Sequence, residues 1–409
     1  MTVDTRLRFC GLTLANPFVL AATPCSHTGD MVRRAVDQGW AGAVWKTLGA
    51  IAGLDNPRVS PCYAHQRRAD GGLNGFENID LGNEVPLEQS FREIAAVKRE
   101  RPHAVIIVSI RGERDRTRWE TLARRAEDTG ADMVEPMFSC PHDIGHSNQG
   151  AALLAQEARE VTGWVKAAVR VPVMVKMSPN VQDMRIPARA AREGGADAIS
   201  ASNTIRTILG VDLETLRPMP SVSGMSTLGG YSGPPIRPII QRFIADLAQD
   251  AEVGLPLSAI GGVVTWQDAV QYMLLGASLI QVGTAVMYYG YRIIEDLVEG
   301  LGDFLETRGL SGVDEMVGAS LPYLTTQGAL DRSTRLLARP DLDACVRCLR
   351  CYVACRDGAY QAIEVAPDGS PRVIEDSCVG CSLCAHVCPI EGVMTMGERS
   401  ATVKEAAHE

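Results

Sequence analysis

Eight short apolar segments recur between residues 18 and 286, and stretches rich in Ala, Arg and Glu separate them. In chain order the segments are FVLAATP, AGAVWKT, HAVIIVSI, ADMVEPMFS, VPVMVKMS, ADAISASN, PLSAIGG and SLIQVGTAV. Continuous apolar strands that alternate with helical segments are typical of a parallel sheet buried on both faces. Eight such units predict a closed (β/α)8 TIM barrel, with a doubly wound open sheet as the alternative.

The polar stretches between the segments predict helices on the outside of this barrel. Helix-like patterns occur in MVRRAVDQG, WETLARRAEDTG, IPARAAREGG and YRIIEDLVEGLGDFLETRG. We therefore expect the barrel to span residues 1–310 and a connecting segment to span 311–340. A small cysteine-rich domain is expected over 341–398, followed by a tail over 399–409.

Eight of the twelve cysteines form two copies of the spacing C-x2-C-x2-C-x3-C within the small domain. This spacing is typical of bacterial ferredoxins with two [4Fe–4S] clusters, where the fourth cysteine of each run binds the other cluster. The predicted ligands are Cys345, Cys348, Cys351 and Cys388 for one cluster, and Cys378, Cys381, Cys384 and Cys355 for the other. Structural zinc is the alternative.

Clusters that pass single electrons cannot by themselves reduce an organic bond by two electrons, so the barrel is expected to hold a flavin. Small residues at strand ends can bind its phosphate through backbone N–H groups, and strand-end lysines can stabilise its reduced anion. The candidates are Gly261, Gly262, Gly283, Thr284, Lys46 and Lys176. No G-x-G-x-x-G motif follows a strand and opens a helix, so we expect a separate electron-transfer partner.

Charge and hydropathy exclude several classes of partner. The net charge of −9 argues against nucleic acid as the main ligand. No apolar run reaches the length of a membrane span, and the first residues contain no signal-peptide core. We expect a soluble, cytoplasmic protein with a small-molecule substrate and neither a nucleic-acid nor a membrane partner.

Several motifs together resemble the catalytic subunits of bacterial NAD-dependent dihydropyrimidine dehydrogenases and the C-terminal half of the animal enzymes. They are NPFVLAATP, GWAGAVWKT, FSCPH, KMSPN, SASNT, GGYSGPPIRPI, IGGVVTWQDA and the two cysteine runs. The barrel part is also similar to dihydroorotate dehydrogenases. The resemblance implies FMN at the barrel mouth and reduction of the C=C bond of a pyrimidine base. It also implies a hetero-oligomer with an FAD-containing partner subunit that oxidises NAD(P)H.

The resemblance also implies roles for individual residues. It assigns FMN contacts to Ala21, Ala22, Lys46, Thr47, Lys176, Gly233, Gly261, Gly262, Gly283 and Thr284. Cys140 is expected to be the general acid, carried over the substrate by a mobile loop that follows it, residues 141–150. An ordinary thiol is mostly protonated at neutral pH, which suits an acid. Ser139, Asn203 and Thr204 are expected at the substrate.

Two positions depart from the pyrimidine-reducing pattern. Met137 stands where an asparagine is expected before Ser139, and Asp115 aligns with a second expected asparagine after the third strand. A thioether offers almost no hydrogen bond to a urea-like edge, and each lost bond costs about 1–3 kcal/mol. Three hypotheses follow: reduction of uracil or thymine, the same chemistry on another cyclic or acidic unsaturated substrate, or an electron-transfer subunit without turnover.

Overall fold

The computed structural model describes residues 3–49, 59–112, 115–137 and 151–398. The chain divides into two compact units between Tyr323 and Leu324. The strands of the first unit are β1 Leu7–Phe9, β2 Leu12–Leu14, β3 Phe18–Leu20, β4 Gly42–Leu48, β5 Tyr63–Arg67, β6 Leu73–Asn78, β7 Val105–Ile110, β8 Met133–Pro136, β9 Met174–Lys176, β10 Ala198–Ala201, β11 Ile205–Thr207, β12 Val211–Asp212, β13 Arg217–Pro218, β14 Gly229–Ser232, β15 Leu257–Ile260 and β16 Ala277–Val282. Its helices are α1 Gly29–Asp37, α2 Leu87–Glu100, α3 Arg116–Asp128, α4 Ala151–Ala168, α5 Arg185–Glu193, α6 Arg237–Ala248, α7 Trp266–Leu274, α8 Thr284–Tyr289 and α9 Ile293–Arg308.

Eight of these strands form a parallel barrel whose order around the ring follows the chain. The order is β3, β4, β7, β8, β9, β10, β15 and β16, and β16 pairs with β3. A parallel bridge between Val134 and Val173 joins β8 to the start of β9 and closes the ring. Each barrel strand comes from one of the eight predicted apolar segments. The predicted TIM barrel is therefore confirmed, and the open doubly wound sheet does not form.

The interior of the barrel changes from apolar to polar towards the carboxyl ends of the strands. The hairpin β1–β2 packs with an apolar layer that includes Met133, Met174, Ala198 and Leu279. Side chains two residues apart on a strand point to the same face. The next inward positions on these four strands are Glu135, Lys176, Ser200 and Gln281. These four residues, with Ser258 of β15, are called the polar layer below.

A second, antiparallel sheet of four strands follows the carboxyl ends of two barrel strands. Its order is β11-β14-β6-β5, with β5 and β6 inserted after β4 and the other two after β10. The sequence patterns did not predict this sheet. The glycine-containing stretch GGLNGF enters β6, where a side chain at Gly75 would collide with the hydroxyl of Tyr231.

The segment after α9 begins within the barrel unit. Gly312 forms a parallel bridge with Asp4, and the unit ends at Tyr323. The expected connecting segment, residues 311–340, thus starts as part of the first unit and ends in the second. Among the described residues, no helix combines the length and the hydropathy needed to cross a membrane.

The second unit repeats one local geometry in its two cysteine runs. Its elements are β17 Leu336–Pro340, α10 Arg350–Gly358, β18 Ile363–Val365, β19 Pro371–Val373, α11 Leu383–His386 and β20 Met394–Glu398. The strands pair antiparallel, β17 with β20 and β18 with β19. Leu349 and Ser382 are both left-handed, with φ of 57° and 59°, and each precedes the helix of its run. The internal duplication in the sequence is therefore also a duplication of backbone conformation.

Candidate active site

A two-lobed cleft lies at the carboxyl ends of the barrel strands, where TIM-barrel enzymes place their chemistry. The first lobe has a volume of about 690 Å³ and the second about 630 Å³. Ala22, Lys176, Asn203 and Thr204 line both lobes and make them continuous. The cleft therefore offers one site for a long ligand with chemically different ends.

Most of the predicted site residues meet in this cleft. The first lobe is lined by the predicted residues Ala22, Lys46, Thr47, Met137, Lys176, Asn203 and Thr204. The second is lined by Gly233, Gly261, Gly262, Gly283 and Thr284 in addition to the shared residues. Ala21 is fully buried beside them, and its N–H donates to the carbonyl of Val282 at 2.9 Å.

Three predicted residues are not brought to this cleft by the described structure. Asp115 is exposed at the N-cap of α3, where its carboxylate accepts a hydrogen bond from the N–H of Arg118 at 3.2 Å. It is not among the described lining residues. Ser139 and Cys140, and the loop over residues 141–150, lie outside the described residues.

The second lobe is built on glycine backbone. Gly233 and Gly262 have φ of +92° and +71°, values that side chains disfavour. A Cβ on Gly262 would lie 2.8 Å from the carbonyl oxygen of Gly233 and 2.9 Å from Cβ of Arg237. The buried hydroxyl of Tyr272 donates to the carbonyl of Gly261 at 2.6 Å and fixes the loop. A concave backbone surface without side chains suits a phosphate group.

If this surface holds the phosphate of a flavin, substituting Gly262 by alanine is expected to weaken binding of FMN at least about tenfold. The left-handed backbone costs roughly 1–2 kcal/mol for any other residue, and the added methyl group would also push Gly233 and Arg237 apart. Fluorescence titration of the apoprotein with FMN measures the affinity. Gly302→Ala is the matched control, because a Cβ there has no atom within 4 Å. Equal FMN affinities for the two variants would contradict the assignment of Gly262 to the phosphate-binding surface.

Two polar residues of the first lobe were missed by sequence reasoning. Lys46 Nζ donates a hydrogen bond to the carboxylate of Asp80, and both side chains are largely buried. Asn78, at the end of β6, lines the same lobe, and its amide donates to the carbonyl of Gly230 at 3.3 Å. The only local signal was the polar pair on either side of Ile79 in NID, which is too common to indicate a site.

The loop that carries Asn203 is held by a second asparagine. The amide of Asn180 donates to the carbonyl of Thr204 at 3.2 Å, and its oxygen accepts from the N–H of Arg206 at 2.8 Å. The side-chain oxygen of Asn203 in turn accepts from the N–H of Thr204 at 2.9 Å. Asn78 and Asn203 thus place two amides in one lobe, and an amide can both donate and accept hydrogen bonds.

Aromatic side chains form an apolar wall of the cleft. The ring of Phe76 lies 5.2 Å from that of Tyr63 and 6.0 Å from that of Tyr288, centroid to centroid. Burial raises the pKa of Tyr288 to about 12, so its hydroxyl stays neutral. Tyr63 and Phe76 line the first lobe, and Tyr288 lines the second. These rings offer flat apolar surfaces to a planar ligand.

Lys176 stands at the junction of the two lobes. Its ammonium nitrogen lies 3.9 Å from Glu135 Oε1, and this distance is too long for a hydrogen bond. Gln281, which lines the second lobe, has a buried side-chain oxygen without a partner among the described residues. A cation, an open acceptor and a glycine-lined surface in one cleft fit a phosphorylated flavin.

The second unit gathers four cysteines from both runs around one cavity. Cys355, Cys378, Cys381 and Cys384 line a cavity of about 330 Å³. Burial raises the pKa of the Cys384 thiol to about 11, so binding of iron must displace its proton. No three potential ligands among the described residues converge on a point that would hold a single ion. The cavity instead brings together the four residues expected to share one cluster.

Comparison with known proteins agrees with both halves of the structure. Residues 5–305 match the dihydroorotate dehydrogenase family, and residues 338–396 match a 4Fe-4S dicluster domain. The chain belongs to the dihydroorotate dehydrogenase family. The resemblance noted from the sequence motifs is therefore confirmed.

Individual relatives extend the similarity to the whole chain. The NAD-dependent dihydropyrimidine dehydrogenase subunit PreA of Escherichia coli K12 is 40% identical, over 100% of this chain and 99% of that protein. The chloroplastic dihydropyrimidine dehydrogenase (NADP(+)) of Arabidopsis thaliana is 38% identical, over 79% of this chain and 78% of that one. The catalytic subunit of dihydroorotate dehydrogenase B (NAD(+)) from Pyrococcus abyssi is 35% identical, over 76% and 97%. The protein is a flavin and iron–sulfur oxidoreductase of this pyrimidine-related group, acting on CH–CH bonds.

Proposed function

We propose that the chain is the catalytic subunit of a dihydropyrimidine dehydrogenase that reversibly reduces uracil or thymine to the 5,6-dihydro form. The observation that carries the proposal is the single cleft that holds two lysines, two amides and a glycine-lined surface. The 40% identity to a dihydropyrimidine dehydrogenase subunit over the whole chain supports it.

FMN is the proposed flavin. The glycine residues of the second lobe would hold its phosphate, and Lys176 with Gln281 would meet its ring and side chain. Bound FMN would supply the hydride for one carbon of the C=C bond. The aromatic wall of Phe76 and Tyr288 would exclude water from the ring.

The remaining roles belong to side chains of the first lobe. Asn78 and Asn203 would donate to and accept from the carbonyl and N–H groups of the base, because an amide matches both. Thr204 and Ser139 would contact the substrate beside them. Cys140 would give a proton to the carbon next to the one that receives the hydride, and would take it back in the reverse reaction.

Electrons are proposed to enter through two [4Fe–4S] clusters bound by the eight cysteines of the second unit. A partner subunit with FAD would oxidise NAD(P)H and deliver them. The names of two relatives, a PreA subunit and a catalytic subunit, support an assembly of more than one kind of chain.

The test is anaerobic. The holoprotein is reduced with dithionite, excess reductant is removed, and flavin absorbance is followed after addition of uracil or thymine. Fast reoxidation supports the proposal. If the protein contains FMN and iron but shows no reoxidation, it either has another substrate or serves electron transfer alone. A panel of unsaturated cyclic amides and acids separates these two outcomes, because only an enzyme with another substrate would be reoxidised by one of them.

Met137 favours the second candidate, the same chemistry on a less polar substrate. Its thioether lines the first lobe, together with Leu81 and Met287, and is 7% exposed. These three side chains make part of the lining apolar, while Asn78 and Asn203 make other parts polar. A ring with an amide edge and an apolar substituent would fit both.

Substituting Met137 by asparagine is expected to tighten uracil binding about five- to a hundredfold. The new amide would replace one missing hydrogen bond to a buried polar edge, worth about 1–3 kcal/mol. The reoxidation rate as a function of uracil concentration gives the apparent affinity. Met137→Ala is the control, since it creates room without adding an amide. A gain of equal size in both variants would show that space, and not polarity, limits binding.

A further inference from the structure

We infer that Glu135 is a positioning residue of the flavin site, which acts through Lys176 and sets the preference of that site for reduced over oxidised FMN. Its carboxylate compensates the charge of the Lys176 ammonium from inside the barrel. The inference rests on the proposed function, because it requires FMN beside Lys176.

Both charged groups are buried. Lys176 is 5% exposed and Glu135 is fully buried. Among the described residues, the ammonium has no hydrogen-bond partner, and the carboxylate oxygen at 3.9 Å is its one ion-pair contact. A buried charge is strongly unfavourable unless an opposite charge compensates it. Glu135 therefore supplies the counter-charge of Lys176 at the floor of the cleft, and without it the reduced flavin anion would be left to compensate the ammonium.

The polar layer holds the carboxylate in place. Gln281 Nε2 lies 2.9 Å from the Ser200 hydroxyl and 3.1 Å from that of Ser258, and its third contact is Glu135 Oε2 at 3.4 Å. Glu135 Oε1 has no hydrogen-bond partner in the described structure. One oxygen is thus fixed by the amide, and the other meets only Lys176. The negative charge is consequently not dispersed over other donors.

The second lysine of the cleft has a different arrangement. Lys46 donates directly to Asp80, so part of its hydrogen-bonding capacity is already used. Within the described residues, Lys176 is paired by charge alone and keeps its three N–H donors for a ligand. A cation beside the flavin ring favours the reduced anion, and a carboxylate behind that cation weakens this preference. Coulomb interactions act across such distances in a buried site.

The variant Glu135→Gln keeps the shape and removes the charge. We expect the ratio of FMN affinities, reduced over oxidised, to rise about tenfold, which equals about 30 mV in the midpoint potential of a two-electron couple. Glu135→Asp keeps the charge but withdraws it by one methylene group, so its ratio should lie between those of wild type and Glu135→Gln. Redox titration of the holoprotein measures the potential without any substrate.

Glu77→Gln is the matched control. Glu77 is also fully buried, accepts a hydrogen bond from the Thr207 hydroxyl at 2.8 Å, and is not among the lining residues of the cleft. It should leave the FMN potential unchanged. An unchanged potential in Glu135→Gln, or an equal shift in Glu77→Gln, would overturn the inference.

The two failures are distinguishable. If the wild-type protein binds no FMN, the proposed function fails before Glu135 is tested. If it binds FMN and Glu135→Gln proves unstable, the aspartate variant decides, because a potential identical to that of wild type would exclude the role of Glu135.

Discussion

Replacing Cys140 by alanine is expected to slow the reoxidation of reduced flavin by uracil or thymine about 10²- to 10⁴-fold. A positioned general acid contributes rate factors of this size. Hydride addition to one carbon requires a proton at its neighbour, and without the thiol this proton must come from water. FMN content and iron content should not change, because the residue is proposed to serve only proton transfer. Rapid-mixing absorbance measurements under nitrogen give the rates.

Cys10→Ala is the control for this experiment. Cys10 lies in the turn of the β1–β2 hairpin, with its thiol 3.5 Å from the carbonyl of Asp197. Burial raises the pKa of this thiol to about 12, so it is a neutral, inert group. The control should react like wild type. If Cys140→Ala also reacts like wild type, the proton has another donor, and the proposed role of the thiol is refuted.

Replacing Cys355 by alanine is expected to remove the cluster of the second cysteine run, although Cys355 belongs to the first run. The cavity that contains Cys355 also contains Cys378, Cys381 and Cys384. Iron content should fall from about eight to about four per chain, since each [4Fe–4S] cluster has four cysteine ligands. Electron delivery from an external donor should be lost. Reaction of dithionite-reduced flavin with the substrate should persist, because that step needs no cluster.

Cys351→Ala provides the matched comparison on the same helix, α10. It should remove the other cluster, the one assigned to Cys345, Cys348 and Cys388. Paramagnetic resonance spectra of the reduced variants distinguish the two clusters. Cys355→Ala should lack the signal that is missing in Cys384→Ala and keep the one that is missing in Cys351→Ala. If Cys355→Ala and Cys351→Ala lose the same signal, the ligands are not exchanged between the runs.

The barrel, the paired cysteine runs and the glycine-lined end of the cleft can be predicted from the amino-acid sequence. These features depend on local rules. An apolar strand buried on both faces is visible in a few consecutive residues, and ring order follows chain order in a TIM barrel. Left-handed or crowded backbone, as at Gly262, requires glycine wherever it occurs. The cysteine spacing likewise indicates cluster ligands, because the cysteines of each run lie within about ten consecutive residues.

The remaining parts of the site form only when the folded chain brings distant residues together. Asn78 reaches the cleft because β6 pairs with β14, so that Asn78 lies opposite Gly230, far away in the chain. Asp115, expected at the substrate, caps α3 instead, because its carboxylate meets the N–H of Arg118. Glu135 meets Lys176 only because neighbouring barrel strands bring them to one level. Such contacts depend on long-range pairing and closure, which the period of hydrophobic residues does not encode.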